Sequence, residues 1–167
     1  MKKLSILLVC LFIAASSFAQ NANQTLPDLA LKDVNGKPKN MSDYSKAKKI
    51  IIISFWATWC SPCKKELNNI NELYEEWKTK YNLELVAVCT DNARNVSKVK
   101  PYVDGQGWDY DIIMDVNQDF QRAMNIVQIP HTLLLDQNGN IVYSHSGYVE
   151  GDEFMLEEKI KELLGKK

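Results

Sequence analysis

The chain has 167 residues, 46% of them apolar, and its 20 Lys and Arg nearly balance 21 Asp and Glu for a net charge of −1. A near-neutral chain without a basic stripe lacks the electrostatic footprint needed for nucleic acid or an anionic lipid surface. The length suffices for one domain with a full-sized core. At the start, Lys2 and Lys3 precede an apolar run from Leu4 to Ala15, and Ser17-Phe18-Ala19 offers small residues where a signal peptidase reads. This pattern predicts an export signal over residues 1–19, cleaved after Ala19. At about twelve residues the run is short for a membrane span, with a retained anchor as the alternative. Cys10 lies in mid-run behind Val9 and is not placed for lipidation. Loss of Lys2 and Lys3 leaves 18 basic against 21 acidic side chains in a single domain over residues 20–167.

Residues 20–26 read as a short polar leader. The stretch "LPDLALKDVNGKPKNMS" has apolar residues broken by Asn35-Gly36, which predicts a hairpin. "KKIIIISFWA" is a continuous β-branched and aromatic run, the pattern of a central strand covered on both faces. From Ser61 to Tyr81 the period changes. Leu67, Ile70, Leu73, Tyr74 and Trp77 recur at three- and four-residue intervals, giving one apolar stripe along a helix. "LELVAVCTD" predicts another buried strand, and "RNVSKVKPYVDGQG" a helix broken near Pro101. "YDIIMD" and "HTLLLDQ" read as strands separated by a short helix around Asp119 to Asn125. Asn138-Gly139 turns the chain into "IVYSHSG", and Gly151 to Leu164 forms a closing amphipathic helix. Strands alternating with helices, then a hairpin and a last helix, define an α/β fold with a mixed sheet flanked by helices.

The chemistry concentrates in "FWATWCSPCKKE", residues 55–66, where the central strand ends and the long helix begins. Residues three apart share a helix face, which brings Cys60 and Cys63 within bonding reach. Cys60 falls at the helix start, where free N–H groups and the dipole stabilise a thiolate and lower its pKa. Pro62 costs nothing in a first turn, whose N–H groups have no partner in the helix. Cys63, one turn in, is expected to be less exposed and to act as the resolving thiol. Three other readings of the pair compete. The ring is too short for much chain-entropy stabilisation, which argues against a purely structural disulfide. A structural zinc site needs about four ligands, and only Cys89, His131 and His145 could add to the pair, none at ligand spacing. Covalent haem attachment requires His after the second cysteine, where Lys64 stands. A redox-active pair remains the leading reading, and Cys89, alone in a strand, reads as inert packing.

"FWATWCSPCKKE" resembles the active-site stretch of the thioredoxin superfamily. The "LPDLALKDVNGK" hairpin and "IPHTLLLDQNGNIV" are similar to its exported TlpA/ResA-like branch, with the resemblance running from about Leu26 to Leu164. It implies a thioredoxin fold, a central mixed sheet with an N-terminal β-hairpin and a central helical insertion near Ala93 to Gly107. It also implies thiol–disulfide exchange, with Cys60 as nucleophile and Cys63 as resolving thiol. Ile129-Pro130 is implied to be a cis peptide facing the cysteines, with the Ile129 backbone free for an extended substrate. Trp59, Pro62 and Ile129 would then rim Cys60.

The sequence departs from that pattern at Ser54, which stands where cytosolic relatives carry a buried acid, so a proton acceptor for Cys63 is expected to be missing there. Asp91 and Glu66 are the acids that could handle this proton, although each also fits a surface position. Asn68 replaces a helix-kinking proline, which implies a straighter helix. His131, where relatives often have Thr, could tune the sulfurs or point away.

The expected function is that of an exported, periplasmic thiol–disulfide oxidoreductase, acting more as a reductase than as an oxidant. It would need no cofactor beyond the Cys60–Cys63 disulfide and would bind no metal. Its partners would be protein thiols and disulfides plus an upstream redox partner, which could be membrane-bound, and a monomer is expected. Two alternatives stand beside it. One is a peroxiredoxin-like peroxidase, for which the usual Thr-x-x-Cys is absent because Thr58 is only two residues from Cys60. The other is a copper- or haem-delivery protein using Cys60, Cys63 and His131.

Overall fold

The computed structural model describes residues 24–165. The proposed export signal lies outside the described residues. Strand β3 (Ile50–Trp56) has all seven residues buried. It runs parallel to β4 (Leu83–Cys89) and antiparallel to β6 (His131–Leu135), so both its edges are paired. Ile50, Ile52 and Trp56 enter one core cluster, and Ile51, Ile53 and Phe55 enter the other. The unbroken apolar run in the sequence follows from that double coverage, since successive side chains point to opposite faces.

The hairpin of β1 (Ala30–Asp33) and β2 (Pro38–Asn40) adds to β5 (Asp111–Met114), and β7 (Ile141–Ser146) closes the other side. The seven strands lie in the order β2-β1-β5-β4-β3-β6-β7. Gly36 takes φ +83 in the hairpin turn, a conformation that favours glycine. Asp33 fastens that turn by accepting the N–H groups of Asn35 and Lys37.

One face of the sheet carries α2 (Ser61–Tyr81), α3 (Val99–Gln106) and α5 (Asp152–Gly165). They supply Leu67, Ile70, Tyr74 and Trp77, then Val99 and Val103, then Leu156 and Ile160 to its core. The opposite face carries α1 (Met41–Lys46) and α4 (Asp119–Ala123), with Met41, Tyr44 and Phe120 in the second core. Helix α2 is uninterrupted, and Asn68 accepts the Trp108 indole N–H at 2.9 Å.

Two expectations need correction. Pro101 does not break its helix. It is the third residue of α3, in the first turn where a missing N–H costs no bond, and the 3₁₀ turn Val96–Lys98 leads into it. Nor does the short polar leader extend to residue 26. Thr25 bridges Asn140, the Ile141 N–H donates to the Gln24 carbonyl at 2.8 Å, and Leu26 is buried. Among the described residues no helix is long and apolar enough to cross a membrane.

Candidate active site

Strand β3 delivers its last residue, Trp56, to the edge of the core, and the chain turns through Ala57–Trp59 into α2. The turn is closed by the Cys60 N–H donating to the Ala57 carbonyl at 3.0 Å. It is also fixed from β4's side. Asp91, fully buried, accepts the Thr58 N–H at 2.7 Å and the Thr58 hydroxyl at 2.9 Å. Cys60 then caps α2, and its sulfur accepts the Cys63 N–H at 3.3 Å. Pro62 sits beside it in the first turn. An anionic sulfur at this place meets an N–H group that has no partner in the helix.

Cys60 and Cys63 are joined in a disulfide with Cα atoms 5.3 Å apart. Cys60 is 5% exposed and Cys63 is closed off from solvent. Trp59 next to them is 64% exposed, an unusual position for so large an apolar ring, and Pro62 is exposed as well. The Ile129–Pro130 peptide is cis. Because Phe55 and His131 are opposite each other in the β3–β6 ladder, Pro130 lies at the same end of the sheet as Cys60. The Pro130 carbonyl accepts the Gly147 N–H at 2.9 Å, while neither main-chain group of Ile129 has a backbone partner among the described residues.

The missing acid is found on the helix. Glu66, one turn beyond Cys63 on the same face, is 4% exposed and not solvated. Its Oε2 accepts the Ser54 hydroxyl at 2.9 Å and its Oε1 accepts the Thr132 hydroxyl at 2.7 Å. Burial pushes its pKa up to about 7, with the two hydroxyl bonds pulling the other way. Glu66, one of the two candidate acids named from the sequence, is thus buried and not at the surface. Ser54 does not leave a gap; it hydrogen-bonds a carboxylate arriving from α2. Thr132 went unnoticed in the sequence, but Glu66 had a signal, since it follows Cys63 and precedes Ile70 at helical spacing on the buried stripe.

Asp91 is buried, not a surface residue, and its bonds hold the loop before Cys60. The Cys89 thiol donates to the same carboxylate at 3.2 Å, and burial pushes the Cys89 pKa up. His131 points away from the sulfurs. Thr132 faces Glu66, so its neighbour His131 faces the other side of the sheet, where Ser146 and Ser144 meet its ring nitrogens at 2.7 and 2.9 Å. Cys60, Cys63 and His131 therefore do not converge. Among the described residues no group of three or more His, Cys, Asp or Glu is arranged to hold a metal ion.

A disulfide at the start of the helix after a central strand, with a cis-proline at the same sheet end, defines a thioredoxin-like protein. The chain belongs to the AhpC/TSA family, whose model matches residues 22–144. It is 33% identical over 117 residues to the thiol-disulfide oxidoreductase ResA of Geobacillus kaustophilus, a match covering 70% of this chain and 64% of that relative. Among solved structures it resembles an uncharacterized thioredoxin-like protein from Porphyromonas gingivalis, at 45% identity and a TM-score of 0.75, covering 84% of this chain and 92% of that one. A thiol:disulfide interchange protein of the thioredoxin family from Chlorobium tepidum follows at 25% identity and a TM-score of 0.70, covering 87% and 99%. The fold is thus the expected thioredoxin fold, with the hairpin and the helical insertion in place.

Proposed function

We propose that the chain is an exported, periplasmic thiol–disulfide oxidoreductase that reduces protein disulfides. The observation that carries this reading is the Cys60–Cys63 pair at the start of α2, with buried Glu66 one turn further along. Cys60 thiolate attacks a substrate disulfide, forming a mixed disulfide and releasing one substrate sulfur, which takes a proton from water. Cys63 gives its proton to the Glu66 carboxylate and attacks Cys60. The Cys60–Cys63 bond forms, the Cys60–substrate bond breaks, and the second substrate sulfur leaves as a thiolate that takes a proton from water. The substrate gains two electrons and the protein loses them, to be reduced again by an upstream dithiol donor. Trp59, Pro62 and Ile129 provide the apolar rim and Pro130 the platform for an extended substrate. A buried acid beside Cys63 disfavours its thiolate and hence the reduced pair, which supports the reductive direction.

Reduction of insulin by dithiothreitol tests this: wild type accelerates it and Cys60→Ser does not, whereas equal rates would sink the proposal. Cys63→Ala in whole cells should hold the substrate on Cys60. N-terminal sequencing of the protein recovered from cells should begin at Gln20. The peroxidase reading is weakened because Asp91 engages the Thr58 hydroxyl hydrogen, and peroxide consumption separates the two activities. The metal-delivery reading loses its third ligand, because His131 faces away from the sulfurs.

A further inference from the structure

A proton passed to Glu66 must leave again, yet its carboxyl is almost closed to solvent. Behind it lies a cavity of about 10 Å³, lined by Glu66, Thr132, Tyr143, His145, Asp152 and Glu153 among others. That volume is at the lower limit for one water molecule, and the lining is polar enough to hold it. Thr132 and His145 are opposite each other in the β6–β7 ladder, so both side chains stand on the same face. The Thr132 hydroxyl is bound to Glu66 on the inner side. On the outer side His145 Nε2 lies 3.3 Å from Asp152 Oδ2, with the two side chains 34% and 12% exposed. The imidazole therefore borders both the cavity and the solvent.

The other groups facing this passage are already engaged. Glu153 accepts from the Tyr148 hydroxyl and the Gly151 N–H. Tyr143 stacks on the His145 ring at 6.2 Å between centroids. His131 lies across the sheet between its two serines. Among the described residues lining the cavity, His145 is the one imidazole, a ring with two nitrogens that can take and give a proton, and it reaches both sides.

We propose that His145, oriented by Asp152, passes the proton between buried Glu66 and bulk water in each catalytic cycle. This rests on the reading of Glu66 as the acceptor for Cys63. On oxidation of the pair the proton moves from the Cys63 thiol to the Glu66 carboxylate, then across the cavity to the imidazole and out. On reduction it returns by the same path to the Cys63 thiolate. With a pKa raised to about 7, Glu66 both accepts and releases a proton at neutral pH. His145 acts through Glu66 and does not touch the sulfurs.

The test mixes the reduced protein rapidly with an aromatic disulfide that releases a coloured thiolate. A first release reports attack by Cys60, and a second reports resolution by Cys63. His145→Ala should leave the first step at the wild-type rate and slow the second about tenfold near neutral pH, less than the roughly hundredfold or more of a direct general acid or base, because His145 acts through Glu66. Added imidazole should restore the second step in His145→Ala and leave wild type unchanged. Asp152→Asn, the second variant, should slow the same step and alter its pH profile. A wild-type second step in both variants, or a slowed step that imidazole leaves untouched, overturns the proposal. Glu66→Gln distinguishes the underlying reading: it should slow resolution without imidazole rescue, and if it resolves at the wild-type rate Glu66 is not the acceptor.

Discussion

The Ser54 hydroxyl, in the middle of the central strand, donates to Glu66 Oε2 at 2.9 Å across the core. A strand residue too short to carry a charge thus holds a carboxylate reaching in from the helix, and Thr132 secures the other oxygen at 2.7 Å. The acid lies one turn from the less exposed cysteine, and its protonation state is coupled to the stability of the fold.

Burial holds the Glu66 pKa at about 7 in the folded protein, against 4.5 in the unfolded chain. Between these values the folded state keeps a proton that the unfolded state releases. The favourable contribution is therefore complete below about pH 4.5 and lost as pH rises through about 7, a change on the order of 3 kcal/mol. Urea unfolding from about pH 5 to about pH 9 should show wild type losing stability relative to Glu66→Gln. Parallel curves would contradict the buried carboxyl.

Thr132→Val removes one hydroxyl and leaves a carboxylate oxygen unsatisfied. At high pH, where Glu66 is charged, the loss should be about 2 kcal/mol, and at low pH smaller. Because that bond lowers the Glu66 pKa, the pH midpoint of the Cys63 step should move upward. A midpoint unchanged or lower would mean that the hydroxyl does not act on Glu66.

Asp91, itself fully buried, accepts from Thr58 twice and from Cys89 once. Asp91→Ala should cost about 3 kcal/mol by stranding the Thr58 donors. Cys89→Ala removes only a small buried side chain and should cost about 1 kcal/mol with the dithiol chemistry unchanged. Chemical unfolding and the insulin assay on both variants check this. An Asp91→Ala protein as stable as Cys89→Ala would refute the anchoring role.

His131→Ala should leave the reduction potential of the pair at its wild-type value, since the ring lies on the far face of the sheet. The lost serine contacts should cost about 1 kcal/mol. Burial, then the neighbouring His145, hold the His131 pKa below 6.5. The folded state prefers the neutral ring, so wild type loses stability as pH falls below 6.5, and the variant should lack that loss. A shifted potential would place the ring near the sulfurs after all.

The features legible in the sequence are those set by local pattern. The run from Ile50 to Trp56, the stripe through Ile70 and Trp77, and the Asn35-Gly36 turn each encode their element by periodicity or backbone preference. Cys60 at the strand–helix junction was equally readable. Glu66 stood out as a candidate acid, but its burial did not, because that depends on Thr132, 66 residues away in sequence. A charged residue on a helix reads as solvated until the partners that satisfy it are known. Pro101 misled for a related reason: its effect depends on its position within the turn, and helix starts are poorly fixed by sequence.

The bridge between Thr25 and Asn140 ties the first described residues to the turn between β6 and β7. The dithiol and Pro130 lie at the other end of β6, five residues away, or about 17 Å along the strand. A tag, linker or surface attached ahead of residue 24 would therefore hold the molecule by its rear pole and present Cys60 outward. Immobilised through that end, the protein should keep its sulfurs open to partners as large as a folded protein.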